Sequence, residues 1–493
     1  MEAILIRVAR NRALSLHHCK LPSIATAALC LSNSLFHTAT AITMPSPPYA
    51  YRSSDSKPLD LSALEAQITT LEDQRQRAFE LSRDMQVAIL QAKTALEYIE
   101  DTSPVTTKLD TLLENPLLKQ LDASDRAPRH ANLSFKMEDY LRFLAFQRFL
   151  QSADLLPPAA PFTDEEYLGA CMGLAQDLQR YGLGRATVRD VASVQAAADL
   201  VGDLLDFLLQ LDFRNGPLRR KYDGTKYSLK ALETLLYELA VTDSSRAVEG
   251  TSPAKRSKVE KASTMLLPLD SLQALQSRMV YRDDLRESLI KKCRDGQKAA
   301  KQSIFALHRG DKEKALELLT ECHNGIVNEL LPIVVEEPPL RNGSFANVLE
   351  EYVEGKLFCA WLYGKDYGRD VESDQPSGTV LKPEDFDIAL EPAEYLGGLC
   401  DLTGEVGRYA VQRGTARDVR GVQLCLETNT SIYTALQAIG RLPQGIPKKM
   451  DQLRYSVEKI ERMLYEMSLS EAAGGRNVRS EVERVLCYER REL

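Results

Sequence analysis

The segment NVLEEYVEGKLFCAWLY, residues 347–363, decides how the rest of the chain reads. Its apolar residues fall at helical spacing, with Leu349, Val353, Leu357 and Ala360 forming one stripe. Glu351 and Glu354 lie one turn apart and leave the helix on the same side, and their stripe continues into Phe358 and Trp361. A helix that is apolar on most sides is a buried helix. Two carboxylates pointing into such surroundings are costly unless positive charge meets them.

A second acidic pair follows in EYLGGLCDLTGEVGRYA, residues 394–410. Asp401 and Glu405 are four apart and share a face with Gly398, while Gly397 and Gly404 would let another helix approach closely. Packed side by side, the two helices would bring Glu351, Glu354, Asp401 and Glu405 to one pocket. An all-oxygen donor set of this kind suits a hard divalent cation such as Mg²⁺. Taken singly, E-x-x-E and D-x-x-x-E also decorate solvated helices that bind nothing. Only the apolar setting distinguishes these two pairs.

Composition removes several other chemistries. With 493 residues, 44% hydrophobic and 27% charged, the chain has the makeup of a soluble globular protein of two or three domains. Helical spacing dominates and β-branched alternation is scarce, so the expected class is all-α. The net charge of −8 means that nucleic-acid binding would need local basic patches. Nine cysteines without C-x-x-C pairing read as reduced thiols, and six histidines without H-x-x-x-H spacing support neither a zinc site nor a triad. No apolar run reaches the length of a membrane span. The first 43 residues, with Arg7, Arg10, Arg12 and Lys20 against the single acid Glu2, have the composition of a mitochondrial transit peptide, the alternative being that Met44 is the true start.

Residues 1–58 form an N-terminal extension that ends in a Pro/Ser-rich linker. Helices are expected from residue 59 to about 101, over 105–123, 134–152, 164–183 and 188–211, and over 218–239. Residues 243–265 lose the apolar period and carry Lys255, Arg256, Lys258 and Lys261, either a nuclear localisation signal or a solvated linker. The pattern then restarts over 266–470 and leaves a tail at 471–493. Glu166-Tyr167-Leu168-Gly169 returns as Glu394-Tyr395-Leu396-Gly397 at an offset of 228, which also carries Arg189-Asp190 to Arg417-Asp418 and Leu236-Tyr237-Glu238 to Leu464-Tyr465-Glu466. The chain is two copies of one helical domain, 59–242 and 266–470.

The copies differ where chemistry would sit. Glu351 matches Asp139 and Glu405 matches Asp177, but Glu354 matches Arg142 and Asp401 matches Gly173. Lys136, Arg142 and Arg148, with Arg129 and His130 just before them, suit phosphate contacts better than metal ligation. Tyr140 and Phe143 read as core residues, with base stacking as the other option.

These residues also carry a family resemblance. LRRKYDGTKYSLKALETLLYEL (218–239) and EYLGACMGLAQDLQR (166–180) resemble translin. CRDGQKAAKQSIFALHR (293–309), LEEYVEGKLF (349–358) and EYLGGLCDLTGE (394–405) resemble translin-associated factor X (TRAX) of the same family. The resemblance implies α-helical bundle domains assembling into a hollow octamer around RNA. It also implies a Mg²⁺-dependent endoribonuclease that removes the passenger strand of small RNAs or processes tRNA fragments. Carried over by position, Glu351, Glu354 and Asp401 match the catalytic acids, Glu405 stands as a fourth metal ligand, and Arg129 and His130 are the nearest match to the RNA-binding motif. The expected partners are single-stranded RNA and DNA and further copies of the chain, four fused chains supplying eight domains. The expected compartments are cytoplasm and nucleus, or the mitochondrion if residues 1–43 are translated. The competing readings are a non-catalytic nucleic-acid-binding scaffold and, more remotely, a structural adaptor.

Overall fold

The computed structural model describes residues 59–97, 131–214, 216–246, 266–368 and 375–489, with the single positions 107, 110, 111 and 114. The expected helix at 105–123 therefore falls mostly outside the described residues. So do Arg129 and His130, the basic segment 255–261 and the first 43 residues. Among the described residues there is no strand, and the class is all-α.

The first bundle comprises α1 (Ser62–Glu97), α2 (Ala131–Ser152), α3 (Asp164–Thr187), α4 (Val191–Leu208) and α5 (Pro217–Arg246). The second begins with α6 (Leu269–His308) and α7 (Lys312–Gly325). It continues through a π-helical turn (Ile326–Leu330) into the short α8 (Leu331–Glu336). It is completed by α9 (Ser344–Tyr363), α10 (Pro392–Thr415), α11 (Val419–Ala438) and α12 (Ile446–Glu489). The repeat is visible in local geometry. Arg189 and Arg417 both take positive φ (61° and 57°) immediately before Asp190 and Asp418, whose carboxylates cap α4 and α11. Two helices outrun their expected limits. α5 continues past 242 to Arg246, short of Gly250 and Pro253, and α12 continues past 470 to Glu489. The six described cysteines are all buried free thiols.

The long helices α1 and α6 are shared between the bundles. On α1, Leu61, Leu64 and Ile68 are buried in the core of the second bundle, whereas Leu81, Met85 and Ile89 pack against α2. On α6 the arrangement is reciprocal. Leu272, Leu275 and Met279 pack into the core of the first bundle, and Leu289, Ala300 and Ile304 into that of the second. These positions correspond across the repeat, so each bundle is completed by the first turns of the other's leading helix. Polar contacts follow the same symmetry. Arg441 pairs with Glu72 of α1 at 3.0 Å, and Arg214 pairs with Asp283 and Glu287 of α6 at 3.5 and 2.6 Å. Arg282 of α6 bridges both sides, at 3.2 Å from Asp164 and 3.0 Å from Glu337.

Each buried leucine or isoleucine of the exchange contributes about 1.5–3 kcal/mol. Leu275→Ala should therefore lower stability by about 2–5 kcal/mol. The only tryptophan, Trp361, sits in the second core, whereas the Leu275 side chain sits in the first. Denaturant titration followed by Trp361 fluorescence should nonetheless show its midpoint fall with the far-UV signal, because the bundles are coupled through α1 and α6. An unmoved fluorescence midpoint would mean that they unfold independently.

Candidate active site

The pocket is built where α9 meets α10, and close backbone approach makes it. A Cβ added to Gly398 would stand 2.6 Å from Val353 Cγ1 and 2.8 Å from the Glu350 carbonyl oxygen, so only glycine fits. A Cβ at Gly397 would likewise meet the Glu350 carboxyl group. At its far end α9 stops at Gly364, whose φ of 82° turns the chain while its N–H returns to the Ala360 carbonyl at 2.8 Å. Phe358 and Trp361 are fully buried, and the Trp361 indole donates to Thr428 Oγ1 at 2.9 Å.

Into this seam project the four carboxylates singled out by the sequence. Glu354 is buried, at 8% exposure, and among the described residues no hydrogen bond or ion pair reaches it. Burial, then the negative charges of Asp401, Glu405 and Glu351, push its carboxyl up to about 8. The other three are held by cations. Lys301 of α6 meets Glu351 at 2.9 Å, and this bond raises the lysine's own pKa. His308 Nε2 lies 2.5 Å from Glu405 and Arg408 3.0 Å from it, with the His308 ring packed 4.7 Å from Phe358. Lys449 of α12 donates to Asp401 and to Glu350, both at 2.7 Å, and to the Gly397 carbonyl at 3.3 Å. Burial pulls the Lys449 ammonium down, but its bonds to Asp401 and Glu350 outweigh that and raise it.

The first bundle has the same seam with different charges. Arg142 donates twice to Asp177, at 2.5 and 2.7 Å, and a Cβ on Gly173 would come within 2.8 Å of the Arg142 side chain. The guanidinium thus occupies space that Asp401 takes in the second copy. Lys136 pairs with Asp139 at 3.1 Å, and Arg148 with Asp154 at 2.6 and 2.7 Å. Being six residues apart, these three cations leave the helix in three different directions. They do not form one basic face. Tyr140 and Phe143 are buried, and the Tyr140 hydroxyl donates to Asp110 at 2.6 Å.

Sequence reasoning missed Glu350, Lys449, Lys301 and His308. A signal for the first two existed. Glu138 and Lys221, at the matching positions of the first copy, form the same ion pair under the same glycine, Gly169. Lys301 and His308 lie on α6, distant in sequence, and nothing in their spacing pointed to the pocket.

The profile described as Translin family matches this chain twice, over residues 63–243 and 284–471. The chain belongs to the translin family. The translin-associated protein X homologue of Schizosaccharomyces pombe is 26% identical over 205 residues, which is 38% of this chain and 83% of that protein. The mouse translin-associated protein X is 24% identical over 225 residues, 40% of this chain and 78% of its own length. Human translin is 30% identical over 77 residues, 16% of this chain and 34% of that protein. Among solved structures, an AfC3PO–duplex RNA complex is 23% identical and covers 40% of this chain and 97% of its own, with a TM-score of 0.33. The two translin-family matches fall on the two bundles described above.

The isolation of Glu354 has a pH consequence. Its folded value of about 8 lies above the ordinary 4.5, so the folded state holds the proton more tightly than the unfolded chain. The associated stability is fully present below about pH 4.5 and is lost as pH rises through 8. In chelator-containing buffer, Glu354→Gln should therefore gain on the wild type in thermal denaturation between pH 6 and 9. A wild-type-minus-variant difference that stays flat with pH would place Glu354 in a solvated or paired setting.

Proposed function

We propose that this chain is a single-stranded nucleic-acid-binding protein whose second bundle carries a Mg²⁺-dependent endoribonuclease centre. The observation that carries the reading is Glu354, a buried carboxylate with no ion pair or hydrogen bond among the described residues, surrounded by Glu351, Asp401 and Glu405. A surplus of negative charge sunk into an apolar seam is what a divalent cation relieves, and the donor set is oxygen throughout. Glu351, Glu354, Asp401 and Glu405 would hold the metal. When bound, Mg²⁺ supplies Lewis-acid polarisation of a phosphodiester and lowers the pKa of water. The chain's own residues prepare the pocket. Lys301 fixes Glu351, Lys449 fixes Asp401 against Glu350, and His308 and Arg408 fix Glu405, so three of the four carboxylates are oriented in advance.

The substrates that fit this reading are single-stranded RNAs, with passenger-strand removal or tRNA-fragment processing as the pathway class and cytoplasm and nucleus as the compartments. No helix among the described residues is long and apolar enough to cross a membrane. A second reading, the non-catalytic nucleic-acid-binding scaffold, draws support from the ion pairs themselves. With the side chains as they stand, no three acidic, histidine or cysteine groups among the described residues are arranged to hold a metal ion. On that reading Lys301, Lys449 and Arg408 are permanent counterions.

A cleavage assay separates the two. With purified full chain, Mg²⁺ should support cleavage of single-stranded RNA and EDTA should abolish it. Glu354→Gln and Asp401→Asn should each reduce the rate by about 10²-fold or more while RNA binding persists. Asp139→Asn, the matching change in the first bundle, should leave the rate unchanged. Wild-type cleavage by Glu354→Gln would hand the pocket to the scaffold reading.

Assembly is the other part of the proposal. Tyr237 and Val241 on α5 recur as Tyr465 and Leu469 on α12, and all four are exposed, a matched apolar stripe on each bundle. We infer that these stripes bring copies of the chain together, most simply as four chains supplying eight bundles. Light scattering should give a multiple of the 55.1 kDa chain, and Tyr465→Glu with Leu469→Glu should lower it. A monomer at micromolar concentration would end the eight-bundle assembly.

A further inference from the structure

Next to the acidic residues along α10 lies a second feature that the proposed mechanism does not use. α10 and α12 run in the same direction, and their seam can be followed residue by residue. Lys449 sits against Asp401, Ser456 against Thr403 and Asn429, and Met463 beyond them against Gly414. One turn past Asp401 the seam widens into a cleft of about 390 Å³ lined by Gly404, Gly407, Arg408, Tyr455, Ser456 and Lys459. That volume lies within the range of small-ligand sites.

We propose that this cleft is a nucleotide subsite for single-stranded RNA, receiving one base and its phosphate next to the acidic pocket. The inference rests on the reading of that pocket as an RNA-cleaving centre and says where the strand runs from it. Four observations carry it. Tyr455 is 69% exposed at the edge of the cleft, so its ring is available for stacking. Arg408 and Lys459 supply positive charge. Arg408 reaches Glu405 at 3.0 Å and so links cleft to pocket, while Lys459 has no ion-pair partner among the described residues. The floor is open at Gly404, where an added Cβ would meet nothing within 4 Å, while Ser456 closes it over Gly407 at 2.7 Å. Finally, the first bundle keeps half of this set and loses the rest.

That last comparison is the most informative. Tyr227 and Arg180 stand where the second copy has Tyr455 and Arg408, and Tyr227 is equally exposed, at 73%. Yet Gln176 and Gln179 replace Gly404 and Gly407, and Ala231 replaces Lys459. A glutamine stands at the position whose glycine leaves the floor open, Gly404, and the unpaired cation is gone. The bundle that lacks the acidic quartet also lacks the glycines and the lysine that line the cleft. A surface needed only for folding or for docking a second copy would have no reason to vary together with the carboxylates one turn away.

The test uses the full chain in EDTA, where RNA is bound but not cut, with an oligouridylate carrying 5-iodouridine as the probe. Photocrosslinking followed by peptide mapping should mark Tyr455 and leave Tyr227 unmarked. Tyr455→Ala should weaken binding about tenfold while Tyr455→Phe restores it, as expected of a stacked ring. Lys459→Ala should reduce the slope of log K against log salt by about 0.7, one phosphate contact on a single strand. Tyr455 is exposed, so these variants test binding and leave the fold intact. Wild-type affinity in Tyr455→Ala and an unchanged salt slope in Lys459→Ala would overturn the subsite. So would a Tyr455→Ala variant that binds normally but changes the mass in light scattering, which would make the surface a contact between copies. Wild-type cleavage in Mg²⁺ is measured alongside. Cleavage with unaltered binding by the variants removes the subsite alone, and crosslinking at Tyr455 without any cleavage keeps the subsite and removes the hydrolytic reading.

Discussion

The reciprocal burial of Leu61, Leu64 and Ile68 in one bundle and Leu272, Leu275 and Met279 in the other is the constraint on which the remaining structure depends. Neither bundle closes its core with its own residues. The leading helix of each must extend several turns beyond the bundle it serves, which is why α1 and α6, at 36 and 40 residues, are so long. An exchange of this kind is what two identical subunits would make around a two-fold axis. Here the two halves are covalently joined, so the pairing is intramolecular and does not depend on concentration. The same helix that exchanges its first turns delivers Lys301 and His308 to the acidic pocket at its other end. The pocket is therefore tied through α6 to the union of the bundles.

Charge explains how the two seams diverged on one backbone. Placing four carboxylates around an apolar seam requires compensation, and the second bundle supplies it from three directions while leaving Glu354 without an ion pair of its own among the described residues. The first bundle solves the same electrostatic problem internally. Exchanging Glu354 for Arg142 turns a crowd of acids into a bidentate pair with Asp177, and Gly173 clears the room. A half-buried guanidinium whose geometry matches its carboxylate is satisfied and has no charge left over to recruit a ligand. One bundle is thus electrostatically closed and the other open. The difference comes from two positions.

Much of this was legible in the sequence, and the failures have physical causes. Helical periodicity gave the class and most helix positions, and the offset of 228 revealed the duplication. Glu351, Glu354, Asp401 and Glu405 stand out in the sequence because carboxylates at helical spacing within apolar stripes are costly unless something meets them, and of the four Glu354 is the one that is buried. The exchange was not legible. Leu61, Leu64 and Ile68 read as an amphipathic stripe, and a stripe does not name the core that it enters. Lys136, Arg142 and Arg148 form a group by composition alone, since their spacing sends them in three directions and each is paired with an acid. Lys301 and His308 reach the pocket from another helix, and that proximity exists only once the chain has folded.

The two copies together allow structural need to be told from function without an alignment. What both retain is what the bundle requires: the Glu350–Lys449 pair and its counterpart Glu138–Lys221, each packed over a glycine on the next helix, and the capping aspartates Asp418 and Asp190. Lys449 carries both kinds of role. Its bond to Glu350 is duplicated in the first copy and belongs to the scaffold, whereas its bond to Asp401 has no counterpart, because the matching residue is Gly173. A lysine that was already holding two helices together was thus in place to orient a carboxylate when one stood on α10. The acidic pocket thus shares its helix-to-helix contacts with the scaffold, and its residues come from four helices, α6, α9, α10 and α12.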